Sequence, residues 1–167
     1  PLIVAHRRPL EAEVPGIPPI NPAGVVHGEE SLTILKPLVP GEQYTVQEKI
    51  IEYADKGKGA LMIVESAIIG KYNGELYATV KTSLFLVGRG GFGYKGSVPK
   101  TNFPAPPKRA PDHVADESVP ANQAFIYRLN GDMNPLHVDP DRSGMFGFPT
   151  PILHGLCSLG YTARSLQ

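Results

Sequence analysis

The chain has 167 residues, with 16 basic and 16 acidic side chains, one cysteine, no tryptophan and 41% hydrophobic residues. That suits one globular domain or two small ones with a real core and argues against a disordered or fibrous chain. A formal charge of zero, with no lysine or arginine cluster, argues against a nucleic-acid or membrane-surface partner and leaves a small molecule or a protein.

Cys157 alone cannot form an internal disulfide, and the chain has no Cys/His spacing that would hold structural zinc, so an intracellular, reducing compartment fits best. The longest apolar runs, such as residues 60–64 and 83–87, fall far short of the roughly 20 needed to span a bilayer, so no membrane insertion is expected. The first residues carry no signal-peptide pattern. A start at Pro1 without methionine, and a helical pattern running to the last residues, suggest a fragment.

Residues 1–22 are rich in proline and read as loop. Three β-type runs follow at 44–54, 59–69 and 75–87, joined by the turn signals Asp55-Lys56-Gly57-Lys58 and Asn73-Gly74, and they predict an antiparallel meander. In the third run Leu76, Ala78, Val80, Leu84 and Leu86 share one alternation, which predicts one apolar face. Glycines over 88–96 and prolines over 99–111 mark a linker. Ser118 is placed to cap a helix that has Pro120 in its first turn and stops at Asn130-Gly131. A second helix is expected from Thr150-Pro151 to Leu166, with Ile152, Leu153, Leu156, Leu159, Ala163 and Leu166 as an apolar stripe and Gly155 and Gly160 packed closely on it.

Sliding the chain against itself by 127 positions lays residues 25–32 over 152–159, with four of eight positions identical. This suggests two copies of one unit, each opening a helix at a His-Gly step, His27-Gly28 and His154-Gly155. The positions matching Asp132 and His137 are Ala5 and Leu10, so only the second copy is expected to be catalytic.

The densest chemical cluster is residues 127–140. There Asp132 and His137 stand five residues apart on a turn stiffened by Pro135, with Asn134 between them. A carboxylate and an imidazole at that spacing are able to converge on one water as a general acid/base pair. Spacing alone fits better an Asx turn at a helix exit with a satisfied loop histidine. His154, at a helix start and duplicated by His27, reads as structural. Cys157, one turn into an apolar stripe, reads as a buried core thiol.

Tyr127-Arg128-Leu129-Asn130-Gly131-Asp132-Met133-Asn134-Pro135-Leu136-His137-Val138-Asp139-Pro140 resembles the signature of the MaoC-like hot-dog family, the (R)-specific 2-enoyl-CoA hydratases. Asn130 stands where that pattern usually has Ser or Thr. Gly147-Phe148-Pro149-Thr150-Pro151-Ile152-Leu153-His154-Gly155 is similar to the family's entry into its central helix. Val26-His27-Gly28-Glu29, Leu35-Lys36-Pro37-Leu38, Asp55-Lys56-Gly57-Lys58-Gly59 and Ser83-Leu84-Phe85-Leu86-Val87-Gly88, followed by Gly90-Gly91-Phe92-Gly93, resemble its two-copy eukaryotic form, the hydratase unit of peroxisomal multifunctional enzymes.

The resemblance implies an α+β double hot-dog, in which antiparallel sheets wrap central helices. Residues 1–97 would be a first, non-catalytic copy that accommodates the acyl chain, residues 98–117 a linker, and residues 118–167 the start of a catalytic copy whose later strands are missing. It implies reversible hydration of trans-2-enoyl-CoA to (R)-3-hydroxyacyl-CoA in fatty-acid β-oxidation. Asp132 and His137 would hold the water, Asn134 would support them, and Gly155 would offer its N–H to the thioester oxygen. That last role suits a glycine at a helix N-terminus, where amides are unpaired and a substrate meets no Cβ. No cofactor or metal is implied, since coenzyme A enters only as part of the substrate. A homodimer or the remainder of a larger chain is the implied partner. Peroxisomal location follows from resemblance alone, because Ser165-Leu166-Gln167 is no targeting tripeptide. A truncated hot-dog subunit with a structural or acyl-CoA-binding role, and another acyl-thioester dehydratase or thioesterase, remain as alternatives.

Gly88-Arg89-Gly90-Gly91-Phe92-Gly93 satisfies the spacing of a dinucleotide-binding loop, but the proline-broken stretch after it contains no helix pattern. It reads as the start of the linker, with Arg89, Lys95 and Lys100 as solvated loop charges.

Overall fold

The computed structural model describes residues 16–17, 19–20, 24–98 and 103–166, which cluster into two units, residues 16–98 and residues 103–166. In the first, four strands, β1 (Val25–Ile34), β2 (Tyr44–Asp55), β3 (Gly59–Gly70) and β4 (Leu76–Val87), form one antiparallel sheet in the order β1-β4-β3-β2. The three expected runs thus become β2, β3 and β4, each within a residue of its expected ends. The β2–β3 turn closes because Gly57 adopts a φ of 79° and the Asp55 carboxylate accepts its N–H at 2.7 Å.

Register follows the apolar alternation. Ala60, Met62 and Ile68 of β3 stand opposite Leu86, Leu84 and Ala78 of β4. All six are buried, and Ala60, Met62, Leu84 and Leu86 form a cluster against which Ile17, Ile20, Val25, Ile50, Tyr53 and Val64 pack. Two residues depart from the expected pattern. Leu76 is 39% exposed, because it opens the strand beside a register shift at Ile68/Ile69. Tyr77, assigned to the polar alternation, is buried, with its ring edge-on to Tyr44 and its hydroxyl accepting a hydrogen bond from Asn73.

The helix expected at His27-Gly28 is not there: residues 25–34 are strand β1, paired along its length with β4. The match between residues 25–32 and 152–159 is therefore no structural repeat. The intervening Gly28 marks a β-bulge, which explains a glycine inside a strand. Among the described residues of this unit there is no helix.

Residues 91–98 also correct an expectation. They run not as free linker but as a strap fastened to β2 by two buried carboxylates. Asp55 accepts the N–H groups of Gly91 (3.0 Å) and Gly93 (2.6 Å), and Glu52 accepts those of Ser97 (2.6 Å) and Val98 (2.9 Å). Phe92 stacks on Tyr53. Arg89 donates to the Pro19 carbonyl and so is not a purely solvated charge, whereas Lys95 is largely exposed at 4.0 Å from Asp55; Lys100 lies outside the described residues.

The second unit contains α1 (Gln123–Tyr127), two 3-10 turns (Arg128–Asn130 and Pro135–His137), α2 (Pro140–Met145) and α3 (Gly155–Ser165). The first helix is shorter than expected. Ser118 lies outside it, and Asn122 precedes it without a side-chain cap. Its stop is as expected, with Gly131 left-handed at φ 105°. The second helix begins at Gly155 rather than Thr150. Pro151 disfavours helical backbone at the residue before it, and His154 holds a ψ of 131° as the N-cap. Ile152 and Leu153 therefore precede the helix. Cys157 is buried, whereas Leu159 and Leu166 are exposed, and a Cβ on Gly155 or Gly160 would meet no atom within 4 Å, contrary to the expected close packing.

Candidate active site

Everything in the 127–140 signature serves to hold a loop between short helical turns. Gly131 ends the first 3-10 turn, and the Asp132 carboxylate then accepts the Asn134 N–H at 3.2 Å. Asn134 Oδ1 accepts the Leu136 N–H at 3.0 Å and so caps the second turn, where Pro135 needs no N–H partner. Arg128 donates to the Met133 carbonyl at 2.9 Å and braces the loop from the helix side. Asp139 caps α2 by accepting from Asp141 and Arg142. Leu136 is buried and anchors the turn that carries His137. The Asx-turn reading of Asp132 and Asn134 is thus correct as local geometry, and it uses one carboxylate oxygen of Asp132 and the amide oxygen of Asn134.

His137 meets the stretch leading into α3. Its Nδ1 lies 2.7 Å from the carbonyl oxygen of Ile152. A carbonyl only accepts, so Nδ1 carries a proton, and in the neutral tautomer this contact selects it is Nε2 that accepts. A carboxylate oxygen of Asp132 and one ring nitrogen each of His137 and His154 all lie within 4.8 Å of one another. Of the four residues expected at the site, the structure brings Asp132 and His137 together. Asn134 shapes the loop between them through its backbone contacts. Gly155 is the first residue of α3, where the leading N–H groups find no partner within the helix.

His154 is the residue whose part in the cluster the sequence conceals. It is 1% exposed, its ring lies 3.8 Å from that of His137 in a near-parallel stack at 27°, and the Tyr127 ring is 4.7 Å away. Neither of its ring nitrogens has a hydrogen-bond partner among the described residues. Burial, then the neighbouring His137, pushes its pKa below the ordinary 6.5; the Asp132 carboxylate and main chain oppose this without forming an aligned hydrogen bond. Asp132, His137 and His154 are also the set of donors among the described residues best gathered to hold a metal ion. The ring stack argues against it. Imidazole lone pairs lie in the ring plane, so two near-parallel stacked rings direct them side by side rather than towards one ion. Cys157 is a buried free thiol whose pKa is raised by burial, as befits a core residue.

Residues 2–88 match the family described as the MFE-2 hydratase 2 N-terminal domain, and residues 102–167 match the MaoC-like domain. The chain belongs to the MaoC-like, hydratase 2 family. It is 43% identical over 98% of its length to the mouse peroxisomal multifunctional enzyme type 2, and 39% identical over 87% to a probable enoyl-CoA hydratase 2 of Dictyostelium discoideum. It covers 22% of the first relative and 50% of the second. Among solved structures it is similar to a MaoC-like dehydratase from Phytophthora capsici, with a TM-score of 0.77 and 41% identity over 93% of this chain and 52% of that one. It is also similar to the full-length peroxisomal multifunctional enzyme type 2 of Drosophila melanogaster, with a TM-score of 0.70 and 38% identity over 84% and 25%. The four-stranded antiparallel sheet with few helices is consistent with the hot-dog fold of that family.

Proposed function

We propose that this chain carries the hydration site of a 2-enoyl-CoA hydratase acting in fatty-acid β-oxidation, with Asp132 and His137 as its acid/base pair. The observation that carries this reading is the approach of the Asp132 carboxylate to a His137 ring whose Nδ1 proton is committed to the Ile152 carbonyl. A water between them donates one hydrogen bond to the carboxylate and one to His137 Nε2. Its oxygen adds to C3 of the trans-2-enoyl thioester, one member of the pair takes its proton, and the pair returns a proton to C2. Negative charge gathers meanwhile on the thioester oxygen, which the Gly155 N–H at the start of α3 is suited to meet. Asn134 keeps the loop in register for both groups. The reaction needs no cofactor, and the same pair serves the reverse dehydration.

In this reading the molecule is a double hot-dog. Residues 1–97 are a non-catalytic copy accommodating the acyl chain, residues 98–117 a linker and residues 118–167 the opening of the catalytic copy. Two relatives whose names include "peroxisomal" support a peroxisomal location.

The test is to supply a trans-2-enoyl-CoA to the natural full-length protein, follow the loss of the conjugated thioester and resolve the product enantiomers. The (R)-3-hydroxyacyl-CoA is expected. An (S) product, release of free coenzyme A or no hydration contradicts the proposal.

A further inference from the structure

We propose that His154 is a positioning residue that sets the ring plane of His137 by stacking, with Tyr127 backing it from α1. The inference rests on the hydratase reading of Asp132 and His137. One contact cannot orient an imidazole. The hydrogen bond from Nδ1 to the Ile152 carbonyl fixes one point of the His137 ring but leaves it free to tilt about that bond. The second constraint is the His154 ring, stacked at 3.8 Å and 27°. Both come from the short stretch entering α3, so the same residues that begin the helix clamp His137 at an atom and across a face. With the ring plane fixed, the direction of the Nε2 lone pair is fixed as well, which a proton acceptor in the reaction requires.

The way His154 is buried fits this role. A buried imidazole with no aligned hydrogen bond among the described residues costs stability, and an apolar side chain would fill the space without that cost. Its ring stacks on that of His137 and meets the tilted Tyr127 ring at 4.7 Å. The groups around it are His137 and Arg128, which disfavour its charged form, and Asp132, which favours it. The neutral ring acts as a flat, uncharged spacer against His137.

Three variants of the full-length protein test this: His154→Phe keeps a flat ring without nitrogens, His154→Asn keeps polar atoms without a ring, and His154→Ala keeps neither. The expected result is hydration with kcat within about threefold of the unmodified protein for His154→Phe. A fall of roughly ten- to a hundredfold is expected for the other two, with KM nearly unchanged. Nitrogen-15 spectra of the His137 ring give a readout independent of activity. They should show the single Nδ1–H tautomer in the unmodified protein and His154→Phe, and averaged tautomers in His154→Ala. Full activity in His154→Ala, or activity kept by Asn and lost by Phe, overturns the inference and in the latter case assigns the nitrogens a hydrogen-bonding role. If the unmodified protein hydrates nothing, the hydratase reading itself fails, while the spectra still decide whether His154 orders the ring.

Discussion

Asp55 shows how much one side chain settles in the first unit. It is buried, and its two oxygens accept three backbone N–H groups, those of Gly91, Gly93 and Gly57, which together hold its pKa down at about 2. Because the folded value lies below the ordinary 3.8, its contribution is fully present above pH 4 and disappears as pH falls through about 2. Asp55→Asn would place an amide group against N–H donors. We expect the Gly91 and Gly93 amides of that variant to exchange roughly tenfold faster or more at neutral pH, read by hydrogen exchange. His154 gives the opposite sign on the pH axis. Its folded pKa lies below the unfolded 6.5, so the unfolded chain binds the extra proton and stability falls as pH drops below 6.5. His154→Phe should flatten the stability profile between pH 5 and 7 in denaturant titrations. At this scale the Asp132, Asn134 and His137 cluster was legible, because it is contiguous. His154 was not, since its stack with His137 spans residues far apart in the chain, and only the fold reveals it. The partners of Asp55 were hidden for the same reason, although Asp55-Lys56-Gly57 and the glycines of 88–96 were each noticed separately.

At the scale of elements, period-two patterning located β2, β3 and β4 and most of the buried face. β1 escaped because its bulge at Gly28 breaks the alternation and its middle, His27 to Ser31, is polar, leaving a short His-Gly match to suggest a helix. The start of α3 was misplaced because apolar spacing continues through Ile152 and Leu153, while the extended His154 N-cap and the contact of the Ile152 carbonyl to His137 hold the backbone there out of the helix. The loop of the candidate site depends on the reversal at Gly131. With φ at 105°, Gly131→Ala should cost about 1–2 kcal/mol of stability, measurable as a lower denaturant midpoint. It should also lower hydration, because Asp132 follows directly.

At the scale of the whole molecule, the two units carry different chemistry. The sheet unit holds the apolar cluster and the carboxylate-fastened strap; the helical unit holds Asp132, His137 and His154. In the helical unit Leu129 is 86% exposed and Leu166 83%, and no strand lies among its described residues. Apolar surface in water costs about 25 cal/mol per Å². These 167 residues prepared alone should therefore bind a hydrophobic dye and hydrate enoyl-CoA poorly or not at all. A dye-negative, fully active preparation would show that the helical unit needs no further cover. Whether Asp132 and His137 are the acid/base pair is decided by the turnover of a trans-2-enoyl-CoA by full-length Asp132→Asn and His137→Ala variants that retain the unmodified melting profile. A loss of roughly two to four orders of magnitude in kcat with little change in KM is expected for both; near-normal hydration by either variant would exclude that role.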